Sequence, residues 1–348
     1  METPMKYFSV LVAVTAVFLF PLVGAGQRGE KEEIVNIYTH RHYEVDEQIF
    51  SRFEKETGIQ VNVVNAGADE LIQRLRMEGP LSPADILVSA DAGRLVRARR
   101  EGLLQPVPSP VLADRIPAHL KDPDNYWFGL TKRARVIVYH KNRVQPEELS
   151  SIEALADPGW KGRILLRSSS NIYNQSLLAS LIAHHGEEAA RQWAEGIVAN
   201  MARPPQGNDR DQMKAIAAGI ADVAVVNTYY VGHMLNSGDP VEAEVGRQIG
   251  ILFPNQENRG SHINISGAGV TAHAPNRENA VRLLEYLVSD SVQEIFARAN
   301  YEYPVADGVP HSDLVNSWGD FREDTLALST LGELNSAAVR IFDEAGWK

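Results

Sequence analysis

Four tyrosines and a pair of histidines stand where their side chains can do chemistry. "THRHYEVD" (39–46) carries His40, His42 and Tyr43, "SSSNIYNQS" (168–176) carries Tyr173, and "NTYYVGH" (227–233) carries the adjacent Tyr229 and Tyr230. Each segment follows an apolar run that reads as a strand and opens a helical pattern. In open α/β sheets, ligands sit just beyond the carboxyl ends of the strands. Aromatics are only 7% of the residues, so four tyrosines at three such junctions exceed chance spacing. Several phenols converging with an imidazole suit a hard, highly charged cation, and ferric iron prefers anionic oxygen. A free phenol ionises near pH ~10, so its phenolate is scarce at neutrality until nearby positive charge favours it. Four phenolates and a neutral imidazole around Fe³⁺ leave an excess negative charge, for which Arg41 and Arg133 are the candidate counter-charges.

Taken singly, these residues also have ordinary explanations. A tyrosine at a helix start packs, and a Tyr-Tyr pair can turn one ring to the core and one to water. "HRH" (40–42) is a zinc-like pair, because residues two apart on a strand share a face, but no second dyad or carboxylate stands at recognisable spacing. "AHHG" (183–186) lies in a helical pattern where neighbours diverge, and reads as a solvated surface. "RLVRARR" (94–100) reads as an exposed helix face. A secreted metallo-enzyme using His40 and His42 needs a general base, and neither "HExxH" nor "GxSxG" occurs.

The elements that position these residues alternate along the chain. Strand patterns at 34–40, 59–64 and 84–90 alternate with helical patterns at 45–57, 69–77 and 92–102, which predicts a mostly parallel sheet flanked by helices. "ARVIVYHKNRV" (134–144) is a longer β-rich run. A second α/β series follows, with strands at 162–168 and 221–227 and helices over 172–200 and 209–218. A strand at 262–270, helices over 276–299 and an amphipathic helical segment at 321–345 complete the chain. Two α/β series joined by a β-rich run predict two similar lobes with a cleft between them, and the pattern alone also fits a single larger sheet.

The 348 residues are long enough for two lobes with a substantial core. Lys plus Arg is 34 and Asp plus Glu is 45, a net charge of -11 that argues against nucleic acid or an anionic membrane as the main partner. The absence of cysteine excludes disulfides, thiolate metal sites and a lipid-modified N-terminal cysteine. "MKYFSVLVAVTAVFLFPLVGA" has a basic residue, a short apolar run and small residues at its end, predicting a signal peptide over 1–25 and export.

"NIYTHRHYEVDEQIFSRFEKETGIQVNVVNAGADELIQRL", with "PADILVSADAGRL", "EGLLQPV", "RARVIVYHKNRV" and "HINISGAGV", resembles the periplasmic ferric-iron-binding proteins of ABC-type iron importers. The similarity runs over nearly the whole mature chain with the motifs in the family's order. It implies a two-lobed type II solute-binding fold, each lobe a mixed, mostly parallel sheet flanked by helices, joined by β-strand hinges and closing over one Fe³⁺. Residues 33–132 plus about 260–303 then form one lobe, and 133–259 plus about 304–348 the other. Matched residue by residue, the family's "TYY" falls on Tyr229 and Tyr230, its tyrosine after a serine-rich turn on Tyr173, and its "RHY" on His42 and Tyr43. Arg133 matches an arginine near the family's iron site, as partner of a synergistic anion such as carbonate or as charge balance. The implied protein is a non-enzymatic monomer that passes iron to an inner-membrane permease. Rival readings are the same fold carrying a polyamine or an oxyanion.

Overall fold

Alternating apolar strands and amphipathic helices build two sheets that share one long strand. The computed structural model describes residues 33–41 and 43–348; the expected signal peptide over 1–25 and His42 lie outside the described residues. The first series comprises β1 (Ile34–Thr39), α1 (Glu44–Thr57), β2 (Gln60–Asn65), α2 (Ala68–Glu78), β3 (Ile86–Ser89), α3 (Ala92–Arg100) and α4 (Pro110–Arg115). In α1, Val45, Ile49 and Phe53 recur at helical spacing and are buried, each contributing roughly 1.5–3 kcal/mol. Gly58, at φ 73°, ends that helix in the left-handed region.

Next comes β4 (Phe128–His140), followed by β5 (Ile164–Leu165), α5 (Ile172–Asn200), α6 (Asp209–Ala217), β6 (Val223–Asn227), α7 (Thr228–Leu235), α8 (Pro240–Gln248) and β7 (Ile249–Leu252). The chain returns through β8 (Ile263–Val270), α9 (Arg277–Leu287), α10 (Asp290–Asn300) and β9 (Tyr303–Pro304), and ends in α11 (Asp313–Asn316), α12 (Ser329–Glu333) and α13 (Asn335–Glu344).

The strand order is β2-β1-β3-β8-β4-β6-β5, with β7 and β9 also pairing with β4. The expected parallel pairing holds in β2-β1-β3 and in β5-β6. β4 and β8 run antiparallel to their neighbours because they connect the sheets and are not βαβ strands. β4 pairs with β8 from Phe128 to Ala134, then with β6 from Arg135 to Tyr139. One strand thus belongs to both sheets, as a hinge strand must.

Several elements differ from the sequence reading: the β-rich run expected over 134–144 is a strand from Phe128 to His140, and α4, α8 and β7 were not expected. The strand expected over 162–168 is extended only at Ile164–Leu165. The helical segment expected over 321–345 is helical only in α12 and α13, because its first residues pair elsewhere: Ser261 N donates to Arg322 O and Asp324 N to Ser261 O. α12 sits against α3 at Gly332, where a Cβ would lie 2.4 Å from Val96 Cβ.

Candidate metal centre

Three strand-to-helix junctions bring four phenols together. α7 begins directly after β6, so Tyr229 and Tyr230 fall in its first turn, with ring centroids 4.2 Å apart and planes tilted by 38°. Tyr173 is the second residue of α5, whose N-cap Asn171 accepts a hydrogen bond from Tyr173 N at 3.1 Å. Tyr43 is the extended residue immediately before α1. Tyr173 Oη lies 3.4 Å from Tyr229 Oη, the Tyr230 ring packs against the Tyr229 ring, and the Tyr43 side chain hydrogen-bonds with Tyr229. Tyr229 is therefore the hub of a cluster drawn from both α/β series.

Without a cation this arrangement disfavours phenolate. Burial, then the Glu302 carboxylate, pushes Tyr43 up to about 12, with Arg41 opposing. Burial and the neighbouring phenols push Tyr229 well up, and burial with Tyr173 and Asp209 pushes Tyr230 up. Buried, crowded acids of this kind hold their protons until a compensating positive charge arrives.

The arginines divide by what already surrounds them. Arg41 ion-pairs with Asp46 at 3.0 Å and Glu302 at 3.3 Å and donates to Ser266 Oγ at 2.6 Å. Its charge is thereby matched, and it ties the β1–α1 turn to β8 with its guanidinium 5.0 Å from the Tyr43 ring centroid. Arg133 is fully buried, donates from Nη2 to Ala90 O, and stands 4.0 Å from Asp91 and 5.3 Å from the Tyr173 ring centroid. Its Nε and Nη1 are buried with no hydrogen-bond partner, so a ligand oxygen would satisfy them.

Sequence reasoning missed several supporting residues. Arg135 and Arg167 stand 5.9 and 5.8 Å from the Tyr173 ring centroid, and fully buried Asp209 joins them at 3.0 and 3.3 Å. Asp209 also accepts from Asn227 N at 3.0 Å, which holds the start of α7. Arg135 was discoverable, since residues two apart on a strand share a face and Arg133 was already singled out. His233 stacks on Tyr43 with ring centroids 6.1 Å apart, and its Nε2 contacts Asn300 Oδ1 at 2.8 Å. It lies four residues after Tyr229, on the same helix face. Gly232 leaves room for Tyr301 behind it, because a Cβ there would lie 2.5 Å from Tyr301 Cγ.

The zinc-like reading gains nothing here. Burial and the charges of Arg94, Arg41 and Arg133 pull His40 down to about 4, which keeps its imidazole neutral. Among the described residues, no three of His, Cys, Asp and Glu gather as a metal-ligand set. The "AHHG" histidines do diverge, but both find carboxylates, His184 at Asp324 (2.8 Å) and His185 at Glu153 (3.0 Å).

A profile of bacterial extracellular solute-binding proteins matches residues 82–319, more than half of the chain. The chain belongs to that family. This solute-binding protein is 52% identical over 320 residues to iron uptake protein A1 of Synechocystis sp., covering 92% of this chain and 89% of the relative. It is 45% identical over 351 residues to iron uptake protein A2 of the same organism, spanning 100% of both chains. Among solved structures, the Trichodesmium protein IdiA (FutA), in complex with iron and citrate ligands, superposes with a TM-score of 0.88 at 50% identity, covering 90% of this chain and 100% of that one. The two-lobed type II solute-binding architecture is common to these proteins, and they are binding proteins, not enzymes.

Proposed function

We propose that this protein is the periplasmic Fe³⁺-binding component of an ABC-type iron importer, holding ferric iron between its lobes and passing it to a membrane permease. The observation that carries the reading is the convergence of Tyr43, Tyr173 and Tyr230 on Tyr229. We take these four phenols and His42 as the iron ligands. Tyr173, Tyr229 and Tyr230 belong to one lobe (133–259 plus about 304–348) and receive the ion first. Closure of the other (33–132 plus about 260–303) then brings His42 and Tyr43, so that iron selects the closed state. Arg133, with open N–H groups beside Tyr173, is the partner for a synergistic anion such as carbonate, or balances the phenolate charge; Arg41 holds the Tyr43 turn.

The relatives named for iron uptake support this ligand over a polyamine or an oxyanion. So does the state of the nearby carboxylates, since Asp209, Glu302 and Asp46 are all matched by arginines and leave little for an amine. Release follows protonation of phenolates or reduction to Fe²⁺, a poorer match for hard anionic oxygen. We take the protein to act as a monomer when it closes around its cargo. The test is ferric-iron binding by a Tyr229→Phe, Tyr230→Phe double variant. Loss of binding with an unchanged circular dichroism spectrum is expected, and retained binding refutes the site.

A further inference from the structure

The arginines of α3 do more than solvate a helix face. Arg94, Arg97 and Arg100, at three-residue spacing, line a groove of about 330 Å³ together with Ser170, Gln175 and Asn335. That volume falls in the usual range for small-molecule sites, about 300–1,000 Å³. Its single lining carboxylate, Asp69, is shared between Arg94 (3.4 Å) and Arg97, so the groove keeps surplus positive charge in a chain whose net charge is -11. The Nε–H of Arg94 is buried with no hydrogen-bond partner. The groove abuts the metal centre, since Ile172 lines it one residue before Tyr173.

We propose that this groove takes the carboxylates of the anionic chelator in which ferric iron arrives, a small hydroxy-polycarboxylate. The proposal rests on the iron-binding reading and names the form of its substrate. At neutral pH ferric iron stays in solution only when anionic oxygens hold it. As each Fe–phenolate bond forms, the phenol proton leaves to solvent and a chelator Fe–O bond breaks, freeing a carboxylate that needs a counter-charge close by. Arginine forks meet carboxylates with two parallel hydrogen bonds. Groups from α3 and from the start of α5 meet in this groove, so a chelator seated there also draws the two series together. The groove is separate from Arg133, which donates to Ala90 and faces the Tyr173 ring.

The test is stopped-flow capture of iron by the apo protein from two sources, ferric citrate (anionic) and tris(acetohydroxamato)iron(III) (neutral). An Arg97→Glu, Arg100→Glu variant alters two exposed side chains outside the phenol cluster. It is expected to slow capture from ferric citrate by on the order of tenfold or more, while capture from the neutral complex stays within about twofold. Equal slowing with both sources, or none with citrate, overturns the proposal. A second measurement works without iron: calorimetric titration of the apo protein with tricarballylate, a tricarboxylate that lacks the chelating hydroxyl. Binding that disappears in the variant supports the groove, whereas absent or undiminished binding refutes it. If wild type captures iron from neither source, the iron-binding reading fails, and the groove's role in delivering iron fails with it.

Discussion

Asp209→Asn separates a structural charge cluster from the iron ligands it supports. Asp209 is fully buried and pairs with Arg135, which is also buried, and with Arg167, which is partly exposed. Asparagine keeps the shape and the acceptor for Asn227 N but removes the charge opposing two guanidiniums. Breaking a buried ion pair from one side costs about 3–5 kcal/mol. Because Arg167 can turn toward water, the expected loss is at the lower end, about 3 kcal/mol. With an unfolding entropy of roughly 2.1 cal/mol/K per residue, that lowers Tm by about 4 °C if the chain unfolds as one unit. Iron should soften the loss, since phenolate formed at Tyr173 gives Arg135 and Arg167 a new counter-charge. The assay is calorimetric unfolding of apo and iron-loaded forms of wild type and variant. A larger loss in the apo form supports the reasoning. An apo loss below about 1 kcal/mol, the scale of an exposed pair, or equal losses in both forms, refutes it.

Other consequences are equally measurable. Tyr43, Tyr229 and Tyr230 all hold protons at neutral pH and must release them to bind iron. With Tyr173 the proposed ligand set has four phenols that bind as phenolates, so affinity should rise with pH by up to about four decades per unit, read by chelator competition, and a slope near zero would mean that the phenols stay neutral. Arg133→Gln should weaken iron binding on the order of 10–100-fold and remove any dependence on added carbonate, whereas unchanged affinity would leave Arg133 without its proposed role. Acid stability has its own signature. Burial alone would raise Glu323 and Glu153, but His119 and Lys132 for the first, and Arg259 and Asn255 for the second, outweigh it and hold both at about 2. Depressed carboxyls stabilise the fold above their unfolded value, so that contribution should fade as pH falls from about 5 toward 2. Glu323→Gln should flatten this limb of the pH–stability curve, and an unaltered limb would contradict the assignment.

The first series was legible because its apolar periods switch cleanly between strand and helix, and Gly58 marks a stop that the sequence itself displays. The phenol junctions were legible because their tyrosines directly follow apolar runs, where a sheet's carboxyl edge lies, although each tyrosine taken singly also reads as a packing residue. What stayed hidden depends on contacts distant in the chain. Asp209 is an ordinary first-turn acid of α6 until folding places it between Arg135 and Arg167. Residues 321–328 carry an amphipathic pattern, yet pairing with Ser261 overrides it. His233 has its place in the cluster through a contact with Asn300, 67 residues away. The arginines of α3 read as a solvated face because their partners across the groove, Gln175 and Asn335, come from far later in the sequence.

The most direct test of the central claim is the visible absorption spectrum of the purified protein during titration with ferric citrate. Phenolate bound to Fe³⁺ gives an intense charge-transfer colour that zinc, polyamines and oxyanions do not. An orange-red band that saturates at one iron per chain and bleaches on reduction is the predicted result. A protein that stays colourless through the titration contradicts the tyrosine site.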